Sequence, residues 1–252
     1  MRTSRPSIAE LRAATQPPSI FERNSGEHWA GRLYVRRLSP YLTRQLIPTR
    51  LTPNAVTWLM IGVGVLAAVL LALDGIATAA GAVVLIQLQI LLDCSDGELA
   101  RWRRQFSPVG IYLDRFGHYL TETLFPIALG IRAGEPVLGL VAAVLALAVR
   151  TESALVAVAR LESGRGQADD DAAVAAPQVS LLARLRRAAG FFPFFRAFIA
   201  MECTLLALAA AIVDAAAGDH DGTRILVTAL VPIAAITAVG HLVAIVTSSR
   251  LR

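Results

Sequence analysis

Six stretches of the chain stay apolar for about 20 residues or more, the length a helix needs to cross the hydrocarbon core of a bilayer. They cover residues 54–73, 76–96, 110–131, 137–161, 191–215 and 225–247. Ala, Leu and Val fill them without the polar–apolar alternation of a barrel strand, so each is expected to be a transmembrane helix. The polar breaks are Asp74-Gly75, Ser107-Pro108, Gly134-Glu135-Pro136, a long one over 163–187, and 217–223. Short breaks predict antiparallel neighbours.

A different pattern precedes the first span. Trp29, Leu33, Leu38, Tyr41, Leu42 and Leu46 recur at helical spacing, with Arg32, Arg36, Arg37 and Arg44 between them and a kink expected at Pro40. This predicts an amphipathic helix lying on the headgroups. Residues 1–27 are polar, hold Pro17-Pro18, and are expected to be a cytoplasmic segment without order. Residues 1–50 carry neither the apolar core nor the cleavage site of a signal peptide, so insertion is expected from internal segments. The expected fold is therefore all-α and integral to the membrane. Residues 28–50 form an interfacial juxtamembrane helix, and residues 51–249 a six-helix transmembrane catalytic domain.

Composition agrees. Of 252 residues, 55% are hydrophobic and 17% charged, against about 25% charged in a soluble domain; mean hydropathy is +0.57. This excludes a secreted disulfide scaffold, a disordered regulator and a free nucleic-acid-binding domain. Cys94 and Cys203 lie in apolar runs and read as small buried hydrophobes. The net charge is +5, and every cationic side chain that contributes to the Lys+Arg total is Arg. In a membrane chain that excess implies contact with anionic lipid headgroups rather than nucleic acid. Arg32, Arg36, Arg37, Arg44 and Arg50 precede the first span; Arg101, Arg103 and Arg104 follow the second; Arg165, Arg184, Arg186 and Arg187 follow the fourth; Arg250 and Arg252 end the chain. The other loops are poor in Arg. Both termini and the long 163–187 break are therefore expected on the cytoplasmic side of the cell (inner) membrane.

The candidate chemistry lies where the second and third spans meet. Asp93 and Asp96 are three residues apart and share a helical face; Asp114 and His118 are four apart and share another. Gly97 and Ala100 continue the first face almost without side chain, leaving room for a bulky molecule. A turn at Ser107-Pro108 would bring the two faces together at the cytoplasmic boundary. Ionisable groups in a span cost several kcal/mol unless paired or hydrated, and clustered carboxylates repel. A divalent cation relieves both, and carboxylate oxygens suit Mg²⁺ or Mn²⁺. Such an ion can polarise a phosphoryl group and its leaving group.

The run Asp93-x-x-Asp96-Gly97-x-x-Ala100-Arg101, eight residues, then Gly110-x-x-x-Asp114 resembles the signature of the CDP-alcohol phosphotransferases. These are integral membrane enzymes that transfer a phosphoryl-bearing alcohol from a CDP-linked donor to an acceptor hydroxyl and release CMP. Pro53-Asn54-x-x-Thr57 at the head of the first span resembles a family feature there. The resemblance implies six transmembrane helices, an N-terminal interfacial helix and a cytoplasmic active site. It implies that Asp93, Asp96 and Asp114 hold the metal, Mg²⁺ or Mn²⁺, that bridges the donor's diphosphate. Gly97, Ala100 and Gly110 would let the nucleotide pack close, Arg101 would neutralise diphosphate charge or brace a carboxylate, and Asn54 and Thr57 would line the nucleotide pocket. The signature ends Asp-x-x-x-Asp, whereas this chain has His118 in the last place. The resemblance makes that position the general base on the acceptor hydroxyl. A neutral imidazole suits the task and is a poorer Mg²⁺ ligand, so His118, with Asp114 beside it, is the expected catalytic pair.

Arg150 in the fourth span and Arg196 in the fifth are candidates for a phosphorylated acceptor, by analogy with family members that use cations on later helices. The alternative for Arg196 is an Arg snorkelling to headgroups. Ala207, Ala209, Ala210 and Ala211 would permit close helix contact, including across a homodimer. The expected partners are thus a CDP-linked lipid or alcohol, a small polar acceptor alcohol, membrane lipids and a second copy of the chain. The expected donor is CDP-diacylglycerol and the product a phospholipid or its precursor. Two rivals stand beside this: the same reaction with a water-soluble CDP-alcohol, and a non-catalytic membrane protein using the acidic cluster as an ion site. Gly97 and Ala100 argue against the second, because ion binding alone has no use for them.

Overall fold

The computed structural model describes residues 6–17, 30–164 and 197–247. Its helices are α1 (Ile8–Thr15), α2 (Arg36–Leu46, entered through a π-helical turn at Gly31–Val35), α3 (Pro53–Leu71), α4 (Ile76–Arg103), α5 (Pro108–Arg132), α6 (Pro136–Glu162), α7 (Ala200–Ala217) and α8 (Asp221–Thr247). No strand occurs among the described residues. A long helix stands at each of the six expected places. Five of them, α3, α4, α6, α7 and α8, are long and apolar enough to cross a membrane. The remaining one, α5, is 25 residues long and carries Asp114, Arg115, Glu122 and Arg132.

Two elements differ from the sequence expectation, α1 and the end of α4. Within the segment expected to lack order, Ile8–Thr15 is a helix. It begins with a capping box: the Ser7 hydroxyl accepts from the Glu10 amide at 3.2 Å, and the Glu10 carboxylate accepts from the Ser7 amide at 2.8 Å. That satisfies two amides which a helix start otherwise leaves unpaired. The second span does not stop at Asp96 but runs to Arg103, so the acidic motif lies on one uninterrupted helix. Pro40, where a kink was expected, lies inside α2. Proline has no amide to give the carbonyl four residues back. The Arg36 carbonyl accepts instead from the Gln16 side-chain amide at 2.8 Å, and the Arg37 carbonyl from Arg12 at 2.9 Å. The fifth expected span began at residue 191; residues 191–196 fall outside the described residues, and α7 begins at Ala200.

The chain divides into two compact units. The first comprises residues 1–67 and 84–121. Its core gathers Leu11 from α1, Leu46 from the end of α2, Val56 and Met60 from α3, Leu99 from α4 and Leu113 from α5. Leu33, Leu38 and Tyr41 stay exposed, on the side of the juxtamembrane segment that an interfacial helix would turn to lipid. Arg103 ties the α2–α3 connection to α4. Its guanidinium donates to the carbonyls of Leu46, Ile47, Thr49 and Leu51 at 3.2, 3.0, 2.9 and 2.6 Å.

The second unit comprises residues 68–83 and 122–252. Here α8 packs on α6 and α7. Gly130 and Gly139 let α5 and α6 approach closely, since a methyl group on Gly130 would stand 2.7 Å from the Gly139 Cα. Among the described residues of this unit, Arg150 forks onto the Glu122 carboxylate, and His241 Nδ1 lies 2.8 Å from Glu152. Asp214 caps the start of α8, accepting from the Thr223 amide at 3.1 Å and from its hydroxyl.

Candidate active site

The α4–α5 turn is built locally. α4 ends in a Schellman pattern, with the Gln105 amide bonded to the Ala100 carbonyl at 2.9 Å and the Arg104 amide to Arg101 at 3.3 Å. Arg104 takes the left-handed position (φ 54°), which glycine usually fills. α5 then starts at Pro108, whose fixed φ suits a first helical position. Ser107 caps it, its hydroxyl accepting from the Gly110 amide at 3.0 Å. α3 starts in the same way, Thr52 accepting from the Ala55 amide at 3.2 Å ahead of Pro53.

These three helix ends border an open cavity of about 540 Å³, within the range of roughly 300–1,000 Å³ common for small-molecule sites. Asn54, Thr57, Asp93, Asp96, Gly97, Ala100, Arg101, Gly110 and Asp114 all line it. His118 is not in the lining but contacts two residues that are: its Nε2 lies 3.2 Å from Asp93 Oδ1 and 3.5 Å from Asp114 Oδ1. The Thr57 hydroxyl donates to Asp96 Oδ2 at 2.6 Å. Asn54 and Ser107 bridge α3 and α5 at 3.3 Å. Gly110 makes room for that bridge, because a methyl group there would stand 2.9 Å from Asn54 Oδ1. Over Gly97 lie the terminal nitrogens of Arg101, 3.2 and 3.3 Å from where a methyl group would be.

Asp93, Asp114 and His118 offer ligand atoms that all lie within 4.8 Å of one another, close enough to share a metal ion. The carboxylates fit a hard divalent cation, Asp93 and Asp114 with Asp96 lining the same cavity, and the imidazole is the less suited donor of the set. Without a cation, Asp93 and Asp114 would crowd like charge onto one imidazole.

Some side chains in this cavity carry no mark in the sequence pattern. Arg36 lines the wall, although its spacing marks it only as a headgroup contact. Ser107 contributes a hydroxyl, and Phe106 and Ile111 contribute apolar surface. Glu98 lies inside the motif, and the pattern assigns it nothing; it is fully buried and accepts three hydrogen bonds. Ser39 and Thr43 donate from α2 at 2.5 and 2.6 Å, and Gln16 donates at 2.7 Å. The sequence carried no clear signal for this: Glu98 lies two residues past the expected end of the second span and one turn from Arg101, where a surface ion pair is the plain reading. Of the acceptor candidates, Arg150 belongs to the second unit and is engaged by Glu122. Arg196 lies outside the described residues.

The family model for CDP-alcohol phosphatidyltransferase matches residues 50–247. The match takes in α3 to α8 and the whole of the cavity motif, and the chain belongs to that family. It is accordingly a membrane-embedded transferase of phosphate-containing groups, with the family's CDP-alcohol phosphotransfer chemistry in phospholipid synthesis, a CDP-alcohol donor and an alcohol acceptor. No curated protein matches the chain.

Proposed function

We propose that this protein transfers a phosphatidyl group from CDP-diacylglycerol to the hydroxyl of a small polar alcohol, releasing CMP. The observation that carries the reading is one cavity into which three helices turn Asn54, Thr57, Asp93, Asp96, Arg101 and Asp114. A lipid donor is favoured by the rim. Phe106 and Ile111 line the cavity and are also 72% and 62% exposed, so an acyl chain could leave the site along apolar surface.

Asp93, Asp96 and Asp114 would hold Mg²⁺ or Mn²⁺, with His118 at the edge of the set. The ion's contribution when bound is to neutralise the diphosphate and stabilise CMP as leaving group. The chain's own residues do the rest. Thr57 holds Asp96 through its hydroxyl, which fixes one carboxylate against α3. Gly97 and Ala100 leave a side-chain-free strip on α4 for the nucleotide. Arg101 sets a guanidinium over that strip, beside the diphosphate. The acceptor oxygen attacks the donor's β-phosphorus as the bond to the CMP oxygen breaks. With Asp93 and Asp114 turned to the cation, His118 Nε2, which otherwise faces both carboxylates, would be free to take the hydroxyl proton. Positioning and charge neutralisation supply most of the acceleration.

The test is CMP release by the purified protein across a panel of donors and acceptors. The panel pairs CDP-diacylglycerol and water-soluble CDP-alcohols with inositol phosphate, glycerol phosphate and serine. Release is expected with the lipid donor and Mg²⁺ or Mn²⁺, and is lost on chelation. Asp93→Asn and Asp114→Asn should each lower it by roughly a hundredfold or more. Full activity in either variant would overturn the metal assignment, and turnover of soluble donors alone would overturn the lipid assignment.

A further inference from the structure

Arg101 reaches the cavity as a long, flexible side chain, and such a side chain carries about 2 kcal/mol of rotamer entropy. Its Nε donates to the Thr15 carbonyl at 2.6 Å. Thr15 is the last residue of α1, so that carbonyl is one of the four a helix end leaves without an intrahelical partner. It also sits at the negative end of the helix dipole, which attracts a cation. With Nε tied down, the two terminal nitrogens stand over Gly97 in the cavity wall.

α1 is fastened where it can serve as this anchor. Leu11 and Thr15 are completely buried, and Leu11 packs with Leu46, Val56 and Leu99. Gln16, the next residue, donates through its side-chain amide to the Arg36 carbonyl and to Glu98. Glu98 is one turn before Arg101 on α4 and is itself held by Ser39 and Thr43. Thus α1 grips α4 at two successive turns of the motif, once through Gln16–Glu98 and once through Thr15–Arg101.

We propose that α1 is a positioning element for the cavity's cation: by holding Arg101 Nε with its terminal carbonyl, and by bracing Glu98 through Gln16, it fixes the guanidinium where a nucleoside diphosphate's phosphates bind. Leu11, Gln16 and Glu98 are positioning residues and touch no substrate. The inference rests on the reading that Arg101 meets the donor's diphosphate.

The experiment is a double-mutant cycle on the full-length protein, read as affinity for CDP with Mg²⁺ by titration calorimetry, with the KM for donor and for acceptor measured in parallel. Ordering one long side chain is worth up to about tenfold in affinity. Leu11→Asp, which expels α1, should weaken CDP binding by about that factor in the native background and by nothing further in Arg101→Ala. The donor KM should rise while the acceptor KM stays unchanged. Gln16→Ala gives the same pattern at smaller amplitude, and it serves in place of Leu11→Asp if the latter does not fold. If Arg101→Ala leaves CDP affinity intact, the diphosphate role of Arg101 falls and this inference falls with it. If Arg101→Ala weakens binding but neither α1 variant does, the positioning role alone is overturned. It is also overturned if the α1 variants weaken binding equally in the Arg101→Ala background, for that is the mark of general structural damage.

Discussion

At the scale of single residues, the cavity is a problem of charge placed in an apolar protein. Asp93, Asp96 and Asp114 come from two helices, and His118 closes on two of them. As the base, His118 would need its Nε2, which faces both carboxylates, released when Asp93 and Asp114 turn to the cation. His118→Ala is therefore expected to slow CMP release by roughly 10²–10⁴-fold, while His118→Asp retains measurable turnover. Equal rates for wild type and His118→Ala in a single-turnover assay would remove the base role. Residues of this kind were legible because each is an unusual residue type at a regular spacing. Glu98 and Arg36 were not. What each does depends on Ser39, Thr43, Gln16 and the cavity wall, residues far away in sequence and brought near only by packing.

At the scale of elements, the helix ends matter more than the helix middles. Ser107, Thr52 and the Arg104 turn set where α3, α4 and α5 start and stop, and so which residues face the cavity. The Arg103 fork onto the α2–α3 connection fixes the approach to Pro53, Asn54 and Thr57. Arg103→Ala should cost about 1–2 kcal/mol, seen as a lower unfolding midpoint in detergent. It should also raise the donor KM, because Asn54 and Thr57 lose their fixed register. In the second unit, Glu122 and Arg150 are a half-buried pair inside apolar helices. Glu122→Ala leaves the guanidinium uncompensated and should destabilise, by less than the roughly 3–5 kcal/mol of a fully buried pair because Arg150 is 41% exposed, whereas Glu122→Leu combined with Arg150→Leu should cost less still. A larger loss for the double variant, by thermal unfolding, would mean the pair is net stabilising and not merely self-compensating. Apart from the start of the fifth, which falls partly outside the described residues, the long helices were legible to within a few residues from apolar length alone. The end of α4 was not, because Gly97–Arg103 is polar and its helicity comes from burial against α1 and α2.

At the scale of the whole molecule, the Arg distribution sets the expected sidedness: the α4–α5 turn on the cytoplasmic face, and the turns at Asp74, Glu135 and Asp219 on the other. In a variant lacking Cys94 and Cys203, single cysteines at Asp74 or Asp219 should react with an impermeant maleimide applied to intact cells. One at Gln105 should react only after permeabilisation. The reverse labelling would invert the placement of the site. The sequence by itself determined the lipid environment, the helical class and the family chemistry. These follow from hydropathy, which is a property of each residue, and from a motif whose members are close together along the chain. Tertiary structure alone decided that α1 exists as a docked helix, that Arg101 is held by the Thr15 carbonyl, and that Arg150 is engaged by a carboxylate. Each of these depends on a hydrogen bond between residues dozens of positions apart, and such a bond forms only after the apolar surfaces that carry its two partners have packed.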